Sequence, residues 1–197
     1  AIRSRGLGDV YKRQLMGSFY LKFLIIICFL AATYEWNKMV KKINYKLVGF
    51  IFLLFSFYTF YELSIKYTII IPFLICISTD IGGFVFGKIF KGPKLTKISP
   101  NKTYAGMIGA YFLSIIFISL YFNKINYEVT IIWFITIILI SSVSQLGDII
   151  ISHFKRLSKL KNTGNIIPGH GGILDRIDGM IFAFPIYYLI ELSGYLI

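Results

Sequence analysis

The sequence predicts an all-α polytopic membrane protein with about six transmembrane helices and a polar site that faces the cytoplasm. Three observations predict this fold class. The chain of 197 residues is 56% hydrophobic, and its mean hydropathy of +0.72 lies outside the range of soluble domains. Its apolar residues form about six stretches that approach the ~20 residues a bilayer-crossing helix needs. Its basic residues cluster in every second connection, as they do in oriented membrane proteins.

The N-terminal segment, residues 1–14, differs from everything that follows it. It carries four basic residues and one acid, has no apolar period and does not begin with Met. It resembles translated adapter sequence, so we interpret it as a non-native leader and exclude it from the fold. We interpret residues 15–197 as a single transmembrane domain.

The apolar stretches come next, and several of them are short or interrupted by polar residues, notably the third and the fifth. They lie at about residues 19 to 36, 47 to 61, 67 to 87, 105 to 122, 129 to 151 and 173 to 197. The third contains Ser78, Thr79 and Asp80, and the fifth contains Ser141, Ser144, Gln145 and Asp148. Polar residues at membrane depth usually line a polar site. The third and fifth helices are therefore the expected walls of such a site.

The connections between the stretches set the orientation. Three of them are basic and hold no acid, with cations at Lys38, Lys41, Lys42 and Lys46, then Lys88, Lys91, Lys94, Lys97 and Lys102, then Lys155, Arg156, Lys159 and Lys161. The positive-inside rule makes these three connections cytoplasmic. This orientation leaves the start of the first helix outside, so we expect both a non-native leader and an earlier helix in the natural protein.

The formal charge of +12 does not indicate a nucleic-acid partner, because the cations lie in short clusters between apolar stretches rather than along one face. The two cysteines, Cys28 and Cys76, lie inside apolar stretches without a CxxC pair or a neighbouring His. They indicate packing rather than a disulfide or a zinc site.

Four of the nine acids lie within or at the mouth of apolar stretches, on the side of the basic connections: Asp80, Asp148, Asp175 and Asp178. An ionised carboxylate there costs several kcal/mol unless it is paired or metal-bound. A single one would be explained by a neighbouring Lys or Arg. Four on one side favour a shared site.

The fifth stretch carries a polar face. Its polar residues recur at spacings of three or four and share one side of a helix: Ser141, Ser144, Gln145, Asp148, Ser152 and Lys155. A carboxylate among hydroxyls with a cation nearby suits a hard metal ion and a phosphate. The same face would also suit a transport pathway.

The stretch from Ser152 to Gly179 is the most informative. Pro168, Gly169, Gly171 and Gly172 surround His170 in a flexible loop, and a helix is expected from about Ile173, with two carboxylates one turn apart, Asp175 and Asp178. Two carboxylates on one face can hold a divalent metal, and the amides of a glycine-rich turn favour phosphate. Lys155, Arg156 and Arg176 can neutralise a polyphosphate.

This stretch resembles the signature of the phosphatidate cytidylyltransferase family, in which Ser-x-x-Lys-Arg precedes Pro-x-His-Gly-Gly-x-x-Asp-Arg-x-Asp. The matching residues are Ser152, Lys155, Arg156, Lys161, Pro168, His170, Gly171, Gly172, Asp175, Arg176 and Asp178. Asn162 departs from the Asp that is usual in the family. If that Asp positions a metal or a basic partner, metal affinity is expected to be weaker here.

Further blocks resemble the same family. They are STDIGGFVFGK at 78 to 88, ISPNKTYAG at 98 to 106 and QLGD at 145 to 148, so the motifs span residues 78–179, and a fainter match is TYEW at 33 to 36. Family members normally have further N-terminal helices. We therefore expect this chain to be an N-terminally truncated member with a whole catalytic half.

The resemblance implies that phosphatidate attacks the α-phosphorus of CTP, giving CDP-diacylglycerol and pyrophosphate in phospholipid biosynthesis. Mg²⁺ is the implied cofactor, and a second cation is allowed for. We expect metal ligation by Asp148 and Asp175, with Asp178 and Asp80 as further ligands or orienting groups. Lys155, Arg156, Arg176 and His170 complete the expected catalytic set. The expected substrate-binding residues are Ser99, Lys102, Thr103, Ser152, Lys161, Gly171 and Gly172.

The resemblance also implies the setting. The expected partners are CTP, phosphatidate and membrane lipid, without nucleic acid, and a homodimer is allowed for. The expected location is the bacterial inner, or cytoplasmic, membrane, with the chain crossing it several times and the active site facing the cytoplasm.

Three other functions are alternatives to cytidylyl transfer to phosphatidate. A CTP-dependent kinase or cytidylyltransferase acting on a polyprenol or an archaeal ether lipid would use the same residues. A CDP-alcohol phosphotransferase is disfavoured, because Asp178-Gly179 is not followed by that family's Ala-Arg. An ion-coupled transporter would use Asp80 and Asp148 as coupling sites but leaves the clustered His-Gly-Gly and Asp-Arg motifs unexplained.

Overall fold

The computed structural model describes residues 2–66, 68–96, 98–166 and 171–196, with side chains described from Phe19 onward. The residues outside the described ranges include Lys97, Pro168, Gly169 and His170, which the sequence pattern indicated as topology or site residues.

The described chain is all-α, as predicted. Its helices are α1 (Ile2–Met39), α2 (Ile43–Ile65), α3 (Ile70–Phe90), α4 (Tyr104–Lys124), α5 (Ile131–Leu157), α6 (Leu174–Ile177) and α7 (Met180–Leu192). Five helices are long and apolar enough to cross a membrane, the first of them over Phe19–Met39. The sixth predicted stretch is divided, because α6 is a single turn and the apolar helix that follows it, α7, has only 13 residues.

Helix α7 contains a proline, and a neighbouring helix compensates for it. Pro185 has no N–H, so the carbonyl of Ile181, four residues earlier, lacks its usual helical donor. The hydroxyl of Ser56, buried in α2, donates to that carbonyl. In lipid an unpaired backbone carbonyl costs several kcal/mol, so this bond allows the proline at membrane depth.

Glycines bring α3 and α4 into backbone contact. A Cβ atom on Gly82 would lie 2.5 Å from the carbonyl oxygen of Gly109, and one on Gly106 would lie 2.7 Å from that of Gly83. Small residues allow this close approach between membrane helices. The contact holds the start of α4 against the second half of α3, next to Asp80.

Two clusters of buried residues hold the helices together. One packs α2, α3, α4, α5 and α7 together and includes Leu63, Ile137 and Tyr187. The other joins α1, α2, α5, α6 and α7 around Trp36, Ile151 and Leu174. The second cluster lies beside the end of the bundle where α1, α3 and α5 finish and α6 begins.

Candidate active site

All four aspartates singled out in the sequence line one cavity. It has a volume of about 430 Å³ and lies between α3, the α3–α4 loop, α5 and α6. The lining includes Asp80, Asp148, Asp175 and Asp178, together with Lys102, Lys155, Ser99 and Thr103. Residues from four separate segments of the chain therefore meet in one place, although 98 positions separate the first of them from the last.

The cavity has a hydrogen-bonded floor. Thr79 of α3 lies within 2.9 Å of the hydroxyl of Ser114 and donates to that of Ser141 at 2.8 Å. All three hydroxyls are buried. The side-chain amide of Gln145 donates to Ser141 at 3.4 Å. The polar face predicted for the fifth helix thus points into the protein, where its hydroxyls find partners.

The α3–α4 loop folds over the cavity as a tight turn. Leu95 N donates to the carbonyl of Lys102 at 2.8 Å, and the hydroxyl of Thr103 caps α4 by accepting from Gly106 N at 3.1 Å. Lys102 is thereby aimed at α5, where it pairs with the carboxylate of Asp148 and donates to the carbonyl of Gln145 at 3.3 Å. The hydroxyl of Thr103 therefore serves as the N-cap of α4.

Asp175 uses both carboxylate oxygens within the protein. Oδ1 accepts from Lys155 Nζ at 2.9 Å, and Oδ2 accepts from the amides of Thr163 and Gly172 at 2.8 and 3.0 Å. Burial raises the pKa of the Asp175 carboxyl, but these three hydrogen bonds outweigh it and hold the pKa below its ordinary value. Asp175 is therefore a stable anion that organises the loop between α5 and α6.

Asp178 and Asp148 form a carboxyl pair. Burial, the charge of Asp148 and a hydrogen bond between the two carboxyl groups raise the pKa of Asp178 well above its ordinary value. Asp178 Oδ1 also accepts from Gly179 N at 2.9 Å, and Ser152 donates to Asp148 Oδ1 at 3.3 Å. Two neighbouring carboxylates repel each other unless a proton or a metal ion lies between them.

The charges that line the cavity suit a cation. Four carboxylates and two lysine ammonium groups line it, which leaves two negative charges if every group is ionised. Within the described ranges no three His, Cys, Asp or Glu side chains already form a metal-binding group. Mg²⁺ commonly uses only one or two protein carboxylates and completes its shell with water and substrate phosphate. The Asp148–Asp178 pair therefore fits this ion.

Other predicted site residues lie outside the cavity lining. Ser152 is buried behind Asp148, Gly171 and Gly172 are buried in the loop, and Arg156, Lys161 and Arg176 are exposed. Arg156 donates to the carbonyl of Leu160 at 3.4 Å. Gly171 has φ of +91°, the left-handed region that favours glycine. His170 lies outside the described residues.

Sequence reasoning assigned no role to two residues that hold the site together. Glu35 of α1 is 1% exposed, and its carboxylate accepts from Thr163 and from two backbone amides ahead of Asp175. Glu35 entered the sequence analysis only within the fainter TYEW match. A buried acid in an apolar helix is a signal that could have found it. Thr163 offers no such signal.

Three known proteins similar to this chain carry the same name, and a family profile agrees with it. The cytidylyltransferase family profile matches residues 45–193. A phosphatidate cytidylyltransferase of Staphylococcus aureus (strain COL) is 39% identical over 186 residues, which cover 88% of this chain and 70% of the relative. One from Rickettsia typhi is 37% identical over 188 residues, covering 88% and 81%. One from Staphylococcus haemolyticus is 43% identical over 121 residues, covering 60% and 46%.

Proposed function

The chain belongs to the cytidylyltransferase family, and from this premise we propose that it transfers the cytidylyl group of CTP to phosphatidate. The products are CDP-diacylglycerol and pyrophosphate. The names of its relatives support the substrates. The observation that carries the proposal is the single cavity in which four carboxylates face two lysines. Family membership also sets aside the transporter alternative.

The reaction needs no nucleophilic side chain. A phosphate oxygen of phosphatidate forms the new bond to the α-phosphorus of CTP, and the bond from that phosphorus to the oxygen bridging to the β-phosphorus breaks. Pyrophosphate leaves with that oxygen. Alignment and charge neutralisation supply most of the catalysis in such transfers. The chain must therefore hold two polyanions close together at the cavity.

Mg²⁺ is the cofactor in this proposal, and the Asp148–Asp178 pair would hold it. When bound, such an ion neutralises phosphate charge and orients the triphosphate. Asp80, which lines the same cavity, is the candidate for a further contact or for a second cation. Asp175 is a weaker candidate than the sequence suggested, because its oxygens already accept three hydrogen bonds.

Lys102 and Lys155 are the cations proposed to meet phosphate. Each pairs with an aspartate, Lys102 with Asp148 and Lys155 with Asp175. These pairs hold the ammonium groups at the cavity wall in defined positions. A bound triphosphate or lipid phosphate would accept from donors that are not used by the aspartates, since each ammonium group has three.

A second, apolar cavity suits the acyl chains. It has a volume of about 180 Å³, and its lining includes Ile25 of α1, Phe57 of α2 and Phe184 of α7. Ile177 and Met180 also line it, on either side of Asp178 in the sequence. The same turn of chain therefore borders both cavities. This is what an enzyme that joins a lipid headgroup to a water-soluble nucleotide requires.

Charge and hydropathy support a location and an orientation for the protein in the membrane. Five apolar helices and the basic connections support a multi-pass protein of the bacterial cytoplasmic membrane. By the positive-inside rule, the end of the bundle that holds the polar cavity faces the cytoplasm, where CTP would arrive from water. The expected homodimer stays a prediction, which crosslinking in native membranes would test.

The test is Mg²⁺-dependent conversion of radiolabelled CTP and phosphatidate to CDP-diacylglycerol by the purified chain in lipid vesicles. Asp178→Asn should abolish product, whereas Glu191→Gln, at the other end of α7, should retain it. Mg²⁺ should also raise the melting temperature of the wild type but not that of Asp178→Asn. Product from a polyprenol in place of phosphatidate, with none from phosphatidate, would refute the assigned lipid.

A further inference from the structure

Glu35 is a buried carboxylate in the apolar part of α1. It lies near the end of the apolar part of α1, and only 1% of its surface is exposed. Burying an ionised carboxylate costs several kcal/mol unless hydrogen bonds replace its water. The buried Glu35 carboxylate therefore needs hydrogen-bond donors that offset this cost.

Among the described residues, the hydrogen-bond partners of Glu35 lie in the α5–α6 connection and at the start of α6. Oε2 accepts from the hydroxyl of Thr163 at 2.9 Å and from Leu174 N at 2.9 Å, and Oε1 accepts from Ile173 N at 3.0 Å. All three partners donate, and an ionised carboxylate offers only acceptors. Glu35 therefore ties α1 to the backbone immediately ahead of Asp175 and Asp178.

Glu35 and Asp175 act on the same two segments from opposite sides. The hydroxyl of Thr163 donates to Glu35 while its backbone N–H donates to Asp175. Gly172 N donates to Asp175, and the next two amides donate to Glu35. We call Glu35, Thr163, Gly172 and Asp175 the carboxylate clasp, because the two carboxylates together join Thr163 to the backbone of residues 172–174.

Glu35 closely approaches two glycines, Gly172 within the clasp and Gly164 beside Thr163. A Cβ atom on Gly164 would lie 2.6 Å from Oε1 of Glu35, and one on Gly172 would lie 2.4 Å from Oε2. The three atoms nearest to the Cβ position of Gly164 all belong to Glu35. A methyl group at residue 164 would therefore act directly on the Glu35 carboxylate.

We propose that Glu35 is a positioning residue of the cytidylyl transfer reaction, acting from the first helix to fix the backbone that presents Asp175 and Asp178 to the cavity. This inference rests on the proposed function. A displacement of about 1 Å in a reacting geometry can reduce turnover about 100-fold. Loss of the clasp should therefore lower kcat more than it changes binding of CTP.

The experiment compares Glu35→Ala and Glu35→Gln with wild type and with Glu191→Gln. Glu191 is a matched control because its carboxylate also accepts from a threonine hydroxyl, Thr68, but at the other end of the bundle. The full chain in phosphatidate vesicles is assayed for kcat and for the KM of CTP, per amount of folded, monodisperse protein. Hydrogen exchange of residues 171–178 is measured on the same samples.

We expect kcat to fall about 100-fold in Glu35→Ala and about tenfold in Glu35→Gln, which keeps one acceptor oxygen, with the KM of CTP changed less than about threefold. Amides of residues 171–178 should exchange faster in both variants and not in Glu191→Gln. A kcat within twofold of wild type, or losses that only follow the amount of folded protein, would overturn the inference. If wild type and Glu191→Gln also make no product, it is the proposed function that fails.

A second pair of variants tests the contact itself. Gly164→Ala should reduce kcat about tenfold or more in the wild type but less than about twofold when added to Glu35→Ala, because residues in contact have non-additive effects. Equal losses in both backgrounds would show that Glu35 is not the group that the methyl displaces, and the inference would be wrong.

Discussion

The buried pair of Lys155 and Asp175 makes a quantitative prediction about stability. The side chains are 11% and 12% exposed, and Lys155 Nζ lies 2.9 Å from Asp175 Oδ1. Removing one partner of a buried ion pair costs about 3–5 kcal/mol, because the other charge is left uncompensated. Asp175→Asn should fall in that range, since its amide nitrogen must face either Lys155 or two backbone N–H groups.

A double-mutant cycle isolates the pair. Lys155→Met leaves the Asp175 carboxylate with its two backbone donors, so we expect a smaller loss of about 1.5–3 kcal/mol, the value of one charge-assisted hydrogen bond. The double variant has no unpaired charge, so it should lose about 2 kcal/mol less than the sum of the single losses, within the range for contacting residues.

The assay is unfolding in mixed micelles by titration with a denaturing detergent, followed by tryptophan fluorescence. Trp36 is a suitable reporter because its ring packs 4.9 Å from that of Phe154, one residue before Lys155. The pair of Lys66 and Glu191, 3.7 Å apart with side chains 40% and 17% exposed, is the control cycle, with an expected coupling below about 1 kcal/mol. Additive losses at Lys155 and Asp175 within about 0.5 kcal/mol would refute the reasoning.

Three further predictions use the same unfolding assay. The pKa of Asp175 is lowered on folding, so its contribution to the free energy of unfolding is full above the ordinary carboxyl pKa of about 3.9 and is lost as pH falls through the lowered value. The loss of stability in Asp175→Asn should therefore become smaller on acidification. A loss that does not change with pH would contradict this. Ser56→Ala should cost about 1–3 kcal/mol, because it leaves the carbonyl of Ile181 without its side-chain donor; a neutral effect would exclude that role. Gly82→Ala should lower the melting temperature, because its Cβ atom would lie 2.5 Å from the α4 backbone. Gly83→Ala should not, because the atom nearest to its Cβ atom would lie at 4.0 Å. Equal effects of the two substitutions would argue against close packing of α3 on α4.

The sequence predicted the fold class and the chemical type of the site, because both depend on local patterns of residues. Hydropathy over windows of about 20 residues gave the membrane helices, and spacing of three or four gave the polar face of α5. Asp80, Asp148, Asp175 and Asp178 were identified as a group from their cost in an apolar setting, and all four line one cavity.

The sequence did not show which hydrogen bonds each candidate site residue makes within the protein. It suggested Asp175 as a metal ligand and Thr103 as a substrate contact. The structure uses Asp175 to accept from Lys155, Thr163 and Gly172, and uses Thr103 as a helix cap. A motif states which residue types are present, but hydrogen-bond partners depend on how loops fold back on the helices.

Only the tertiary structure identified Glu35 as part of the site. Its partners lie 128 to 139 positions away in the chain, so no periodicity, spacing or window of hydropathy connects them. Local patterns reflect the repeat of a helix and the thickness of a bilayer, which act over a few turns. The contact between α1 and the signature loop exists because the helices pack in one arrangement, and that arrangement is a property of the whole chain.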